Sequence, residues 1–276
     1  MKRTFIREIL SPAHGAGFAA LAASTGLFFI RQELAAVPLV LFLLLCAVAS
    51  FLPRVGFFLP VISRGRRSGR EVALTFDDGP DPDATPLVLD LLDRYRLPAA
   101  FFVAGVKAER YPALIREILA RGHAVGNHSY NHDPLLMLRS SATLSSEIVR
   151  AQEALARFGI RPLAFRPPVG ITNPRLAGIL RELGMDCITF SCRACDFGNR
   201  RIRGLAGNIL RKVRPGMIVL LHDVAPPGGR VGEWLEEVEK VILGLETGGY
   251  DVVSLPQLVG RPVMERTAVA PSWNIP

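Results

Sequence analysis

The chain has 276 residues, 49% of them hydrophobic, and a formal charge of +8, so it is long enough to bury a sizeable core and too apolar to be a disordered polyelectrolyte. No basic stripe interleaved with aromatics appears after Arg70, which argues against nucleic-acid binding. Four cysteines (Cys46, Cys187, Cys192 and Cys195) are too few for a disulfide scaffold and fit a reducing compartment. Cys192-x-x-Cys195 has neither a second pair nor a suitably spaced histidine, so these thiols read as packing residues.

The apolar excess lies before residue 63, in two runs, 13–30 and 34–52, joined by Arg31-Gln32-Glu33. A membrane-spanning helix needs about 20 mostly apolar residues, so the pair is expected to form a transmembrane hairpin. The alternative for the first run, a signal-peptide core behind Lys2 and Arg3, lacks a small-x-small cleavage site before the second run begins. Lys2, Arg3 and Arg7 precede the hairpin, Arg31 alone lies within it, and Arg54, Arg64, Arg66, Arg67 and Arg70 follow. The positive-inside rule then puts both flanks, and the domain that follows, on the cytoplasmic face of a bacterial-type inner membrane. The short apolar segment 55–62, ahead of the basic run, is expected to lie along anionic headgroups.

From residue 70 onward, β-rich runs at 72–75, 99–103, 124–126, 163–165, 187–190, 218–221 and 252–254 alternate with amphipathic helical patterns at 86–95, 112–120, 144–157, 175–183, 205–213 and 234–245. Asp83 and Thr85 stand where a helix start needs a cap, and Gly122, Gly159 and Gly184 stand where helices stop. Repeated strand–helix units imply an α/β fold with a parallel sheet and helices outside, and seven strands suggest a closed or nearly closed barrel. The expected organisation is a membrane segment over 1–69, a catalytic barrel over 70–256, and an irregular tail over 257–276.

The chemistry gathers where these strands end. In LTFDDGP, residues 74–80, two adjacent carboxylates, Asp77 and Asp78, close an apolar run that Gly79 and Pro80 then break. Like charges side by side need an offset, and a metal ion supplies one. GNHSYNH, residues 126–132, brings His128 and His132 four apart, able to face one ion if the chain turns helically after the strand. Two imidazoles and a carboxylate suit zinc or another first-row divalent ion. Arg166, Asp196, His222 and Asp223 follow the fourth, fifth and sixth strands, on the rim where such folds carry function. His123 matches no motif and reads as a packed or solvated histidine.

LTFDDGPDP, GNHSYNH, FRPPVG, the CDF around Asp196, and IVLLHD occur in the order and spacing of the five motifs of the polysaccharide deacetylase family. This is carbohydrate esterase family four, the NodB-homology domain. The resemblance covers about residues 70–255. It implies a distorted (β/α)7-type barrel and metal-dependent hydrolysis of an acyl group, N-acetyl above all, on a sugar, with zinc as the expected ion and cobalt, manganese or nickel as alternatives. By motif, Asp77 resembles the general base, and Asp78, His128 and His132 the metal ligands. His222 resembles the general acid, held charged by Asp196, and Arg166 the partner that keeps Asp77 ionised. The Val169 backbone N–H resembles an oxyanion donor, and Leu220 a wall of the pocket for the acetyl methyl. Three positions depart from the family: Val169 where an aromatic is usual, Phe197 where tryptophan is usual, and Arg193 where an acid is common. A less aromatic groove puts ordinary polymer binding in doubt.

With the barrel on the cytoplasmic side, the expected partners are the membrane and an acylated amino sugar, a lipid-linked one fitting that orientation. The reverse orientation would restore peptidoglycan or exopolysaccharide as substrate. A saccharide-binding barrel without turnover, and a deformylase or O-deacetylase, are the other readings. The oligomeric state is not legible.

Overall fold

The computed structural model describes residues 11–65 and 69–267. Lys2, Arg3, Arg7, Arg66 and Arg67, on which the orientation expectation leans, lie outside the described residues, as does the end of the tail, 268–276.

Helix α1 (Pro12–Ile30) and helix α2 (Val37–Ser50), joined through a 3-10 turn at Gln32–Leu34, make the expected hairpin. Pro12 suits the first turn, where its missing N–H costs nothing. A β-carbon on Gly17 would stand 3.2 Å from the Phe42 ring, so glycine there lets the two helices close up. Pro12–Ile30 and Gln32–Ser50 are each long and apolar enough to cross a membrane, and their outward side chains, such as Phe18, Phe29, Leu43 and Leu44, stay exposed.

The barrel strands are β1 (Val61–Ile62), β2 (Glu71–Asp77), β3 (Ala99–Val103), β4 (Ala124–Asn127), β5 (Ile160–Pro162), β6 (Ala164–Phe165), β7 (Asp186–Ile188), β8 (Cys192–Arg193) and β9 (Ile218–His222). All but β5 form one parallel sheet in the order β1-β7-β6-β4-β3-β2-β9-β8. The gap between its ends is narrowed by a bridge from Arg64 to Met217 and by the Gly65 N–H donating to Gly216 O at 2.8 Å. The sheet is therefore curled and nearly closed, with helices α3 (Thr85–Tyr95), α4 (Gly105–Arg110), α5 (Pro112–Ala120), α6 (Ser141–Ala156), α7 (Pro174–Leu183), α8 (Leu205–Leu210) and α9 (Val231–Thr247) outside.

The two-residue period of each strand sorts its side chains. On β2, Val72, Leu74 and Phe76 pack outward against helix residues such as Leu89, Leu92, Val238 and Trp234. Ala73 faces inward with Ala100, Phe102, Ala164, Ile218 and Leu220. The same inward row carries Thr75 and Asp77, in register with Leu220 and His222 on β9. The barrel wall thus places Asp77 and His222 at its C-terminal mouth by alternation alone.

Several expectations need correction. Segment 55–62 does not lie free for headgroups: Phe57, Phe58 and Leu59 are buried with Leu144, Phe165, Leu176 and Cys187, and β1 pairs with β7. A short apolar run has no period that separates an interfacial segment from a buried strand. The boundary at 69/70 accordingly falls inside the folded unit. Strand β10 (Asp251–Val252) pairs only with the start of β2 and is not a barrel stave. The start of the supposed tail is ordered: after α10 (Leu255–Val259), strand β11 (Met264–Arg266) pairs antiparallel with β5. Asp83 does not cap α3: the N-cap is Ala84, with no side-chain cap, and Asp81 Oδ1 closes the turn before the helix by accepting from the Asp83 and Ala84 N–H groups at 3.0 Å. Cys187 and Cys192 are buried as expected, but Cys195 is exposed.

Candidate active site

At the ends of β2 and β4, the ligand atoms of Asp78, His128 and His132 lie within 4.8 Å of one another. Asp78 Oδ1 stands 3.3 Å from His128 Nε2 and 3.0 Å from His132 Nε2. The chain does not turn helically between the histidines. Ser129 and His132 take left-handed backbone angles (φ 64° and 55°), and side-chain bonds hold the turn: Ser129 N–H donates to Asn127 Oδ1 at 2.9 Å, and His132 N–H to Ser129 Oγ at 3.2 Å. The His128 Nδ1 faces the Arg166 carbonyl at 2.7 Å. A carbonyl only accepts, so Nδ1 carries a proton and Nε2 is the ring nitrogen turned toward Asp78. Burial would raise the Asp78 carboxyl, yet the hydrogen bonds and charges of His128 and His132 hold it well below the usual carboxylate range. His132 is raised: burial opposes its charge, and the Asp78 contact outweighs that.

Beside this set, Asp77 is buried against Arg166, itself wholly buried. Arg166 Nη1 donates to Asp77 Oδ1 at 2.5 Å and to Thr75 Oγ1 at 2.9 Å, and its other nitrogens reach the Ile188 and Thr189 carbonyls at 3.2 and 3.0 Å. The guanidinium stacks 3.8 Å over Phe102. Every face of the cation is thus occupied, which is what a buried charge requires. Asp77 Oδ2, the oxygen Arg166 leaves free, stands 3.8 Å from His128 Nε2.

On the neighbouring strand, His222 ends β9 in register with Asp77, and its Nδ1 donates to Asp196 Oδ2 at 2.8 Å. Burial opposes the charge on His222, but Asp196, with help from Asp78 and Asp77, pushes it up to about 9. Asp196 also accepts from the Asn199 N–H at 3.4 Å, and Asn199 Nδ2 donates back to the His222 and Val224 carbonyls at 2.9 and 2.7 Å. The next residue, Asp223, is buried behind the carboxylate loop. Thr85 Oγ1 donates to its Oδ2 at 2.8 Å, and burial pushes the Asp223 carboxyl up to about 8. A β-carbon on Gly79 would collide with that carboxyl, so only glycine fits at this point of the DDGP turn.

Val169 is exposed and holds a left-handed φ of 52°, which strains a β-branched residue by about 1–2 kcal/mol. Leu220 lies two residues below His222 on the same inward row and is 5% exposed. Seven of the eight non-glycine residues with positive φ among the described residues (Asp78, Ser129, His132, Val169, Cys195, Phe197 and Asn199) sit in the loops at this mouth. Backbone strain of this kind concentrates at functional sites.

All nine residues singled out by sequence are therefore on one rim. Reasoning from sequence gave Asp223 no role and overlooked Thr75, Thr189, Phe102 and Asn199, which orient the charged groups. The inward alternation of β2 was the available signal for Thr75; Asn199 left none. His123 is buried, accepts from the Ala99 N–H at 3.3 Å, and packs on Phe101.

The donor set fits a divalent ion: one carboxylate and two imidazoles converge, and the Arg166 carbonyl orients the His128 ring from behind.

Residues 64–188 match the family model for polysaccharide deacetylase. A peptidoglycan-N-acetylglucosamine deacetylase of Bacillus cereus is 34% identical over 191 residues, covering 68% of this chain and 87% of the relative. A chitooligosaccharide deacetylase of Bradyrhizobium sp. is 34% identical over 216 residues, covering 73% and 98%. The crystal structure of a peptidoglycan N-acetylglucosamine deacetylase in complex with an N-oxidanyl-benzamide aligns with a TM-score of 0.67 at 30% identity, over 74% of this chain and 94% of that one. With relatives matched along most of their length and the same curled barrel beneath, the chain belongs to the polysaccharide deacetylase family, a family of deacetylating hydrolases.

Proposed function

We propose that the protein is a membrane-anchored, metal-dependent carbohydrate N-deacetylase whose substrate is an acetylated amino sugar carried on a lipid. The observation that carries the reading is the convergence of Asp78, His128 and His132 at the mouth that also holds the buried Asp77–Arg166 pair and the His222–Asp196 pair. The relatives' names, which specify acetylated amino sugars, support the acyl group and sugar class.

Asp78, His128 and His132 would hold the cation, zinc by its taste for mixed nitrogen and oxygen ligands, with cobalt, manganese or nickel as substitutes. When bound, it supplies Lewis acidity toward an acyl carbonyl and toward water. The rest falls to the chain. Arg166 occupies Asp77 Oδ1 and keeps the carboxylate ionised, leaving Oδ2 to take the proton of the attacking water. The Val169 N–H donates to the carbonyl oxygen as negative charge grows there. His222, kept protonated by Asp196, gives its proton to the departing amine, and the C–N bond breaks to release acetate. Leu220 bounds the space for the acetyl methyl.

The hairpin supports residence in the membrane, and the basic flanks favour a cytoplasmic barrel. A lipid-linked saccharide on the inner leaflet is the substrate that combines both. The test compares lipid-linked saccharides by mass spectrometry in cells with the parent and with Asp77→Asn. A species heavier by one acyl group is expected to accumulate; unchanged saccharides, with no acetate released by purified zinc-loaded protein, would remove the reading. Alkaline phosphatase fused to the C-terminus is expected to be inactive, and an active fusion would reverse the orientation.

A further inference from the structure

The exposed large apolar side chains outside the hairpin and its exit are few, and they are unevenly placed. Among the described residues beyond Val55 they are Val106, Leu135, Leu138, Val169, Phe197 and Leu243. All but Leu243, on α9, follow the C-terminal ends of β3, β4, β6 and β8, around the catalytic mouth. Leu138 is 78% and Leu135 55% exposed, and their loop is fixed by Asn173 and Arg175 donating to the Met137 carbonyl at 2.8 Å. The loops at the other end of the barrel contribute none. Soluble surfaces scatter such residues singly, and a one-sided collection marks a contact.

The hairpin meets the same mouth. Ser50, the last residue of α2, accepts from the Thr172 N–H at 3.1 Å. Pro53 accepts from Thr189 Oγ1 at 2.5 Å and packs against Gly170, one residue from Val169. The exit segment adds exposed Phe51, Leu52 and Val55 beside these loops. Arg193, Arg200, Arg201 and Arg203 are exposed on the loop that carries Asp196, and none has a carboxylate within ion-pair distance among the described residues. At the opposite end Arg121, Arg161 and Arg261 are each paired with acids, while Arg96, Arg211 and Arg214 are exposed with no carboxylate at ion-pair distance among the described residues.

We infer that the catalytic mouth docks face-on against the bilayer that the hairpin enters, its apolar loop tips in the headgroup layer and its unpaired arginines on anionic phospholipid. The inference rests on the reading of the hairpin as a membrane anchor and deepens it: substrate reaches the site within the plane of the membrane.

The test uses the full chain carrying Cys46→Ser and Cys195→Ser, with one new cysteine at a time: Leu138→Cys at the mouth, Glu265→Cys beside the far end of β6, or Leu43→Cys in the hairpin. Each is labelled with a polarity-sensitive fluorophore and placed in phosphatidylcholine vesicles with or without phosphatidylglycerol, with brominated acyl chains as quencher. The Leu138 label is expected to shift to the blue and be quenched, more so with phosphatidylglycerol, while the Glu265 label stays unquenched. A quenched Leu43 label with Leu138 behaving like Glu265 overturns the docking and spares the anchor. An unquenched Leu43 label overturns both. Equal quenching of Leu138 in the two lipid mixtures overturns the role of headgroup charge. A Leu135→Asp/Leu138→Asp variant should keep the parent rate on a soluble chitooligosaccharide and lose rate on an acetylated saccharide embedded in vesicles; equal loss on both would also sink the docking.

Discussion

Arg166 and Asp77 meet at 2.5 Å with both side chains buried, and every guanidinium nitrogen has an oxygen partner. A buried pair of this kind adds little net stability, but removing one partner strands the other. Arg166→Met is therefore expected to cost about 3–5 kcal/mol, read as a lowered urea midpoint. Asp77→Asn, which keeps a neutral acceptor beside the cation, should unfold much nearer the parent while losing hydrolysis.

Asp78→Ala and His132→Ala each remove one of three converging donors. Zinc retention after dialysis is expected to fall by about a hundredfold or more, since even outer-sphere changes cost 10–100-fold. Chelation of the parent should abolish acetate release, and added zinc or cobalt should restore it. Full activity in excess chelator would refute a metal role.

Burial opposes the charge on His222, but its contact with Asp196 raises it to about 9, so its proton stays in place to about that pH and is lost above it. In Asp196→Asn the alkaline limb of the rate profile should move down toward the ordinary histidine value of about 6.5. The same shift bears on stability. A histidine raised in the folded state stabilises fully below its unfolded pKa and loses that contribution as pH climbs through about 9. The gap in melting temperature between parent and variant should be widest in mild acid and close at high pH.

Asp223 works in the opposite sense. Burial raises it to about 8, so the folded chain holds a proton that the unfolded one releases, and stability falls as pH rises from the ordinary carboxyl range toward 8. Asp223→Asn keeps an acceptor for Thr85 without that liability. Its melting temperature should match the parent's in acid and exceed it at pH 8–9. A variant that gains nothing on the alkaline side would disprove this.

Val169→Gly relieves the left-handed strain at φ 52° and removes a half-exposed side chain. It should stabilise the fold by up to about 1 kcal/mol and retain hydrolysis, because the backbone N–H remains. A large loss of rate on a short soluble substrate would show that the side chain itself contributes.

Much of the barrel was legible because buried parallel strands read as apolar runs between amphipathic helices, as with 99–103 and 218–221. The chemistry was legible because charged residues ended those runs. What escaped had no local signature. Val61–Ile62 and Cys192–Arg193 are two-residue strands made by pairing, not by composition. The turn between His128 and His132 is made by Asn127 and Ser129 side chains, which no periodicity announces. Arg166 could be matched to Asp77, but its place over Phe102 and against two carbonyls is a property of the closed barrel.

The stave that completes the barrel is made before the others. Val61 and Ile62 leave the ribosome on the heels of the hairpin, and their neighbours Cys187 and Ile188 follow only after most of the sheet has been synthesised. A recombinant fragment started at Arg70 would lack that stave and Phe57 to Leu59, exposing one edge of β7 together with the greasy pocket they fill. Such a fragment should aggregate, whereas one begun near Leu52 should stay monodisperse, so the useful cut for a water-soluble enzyme lies well upstream of the first catalytic motif.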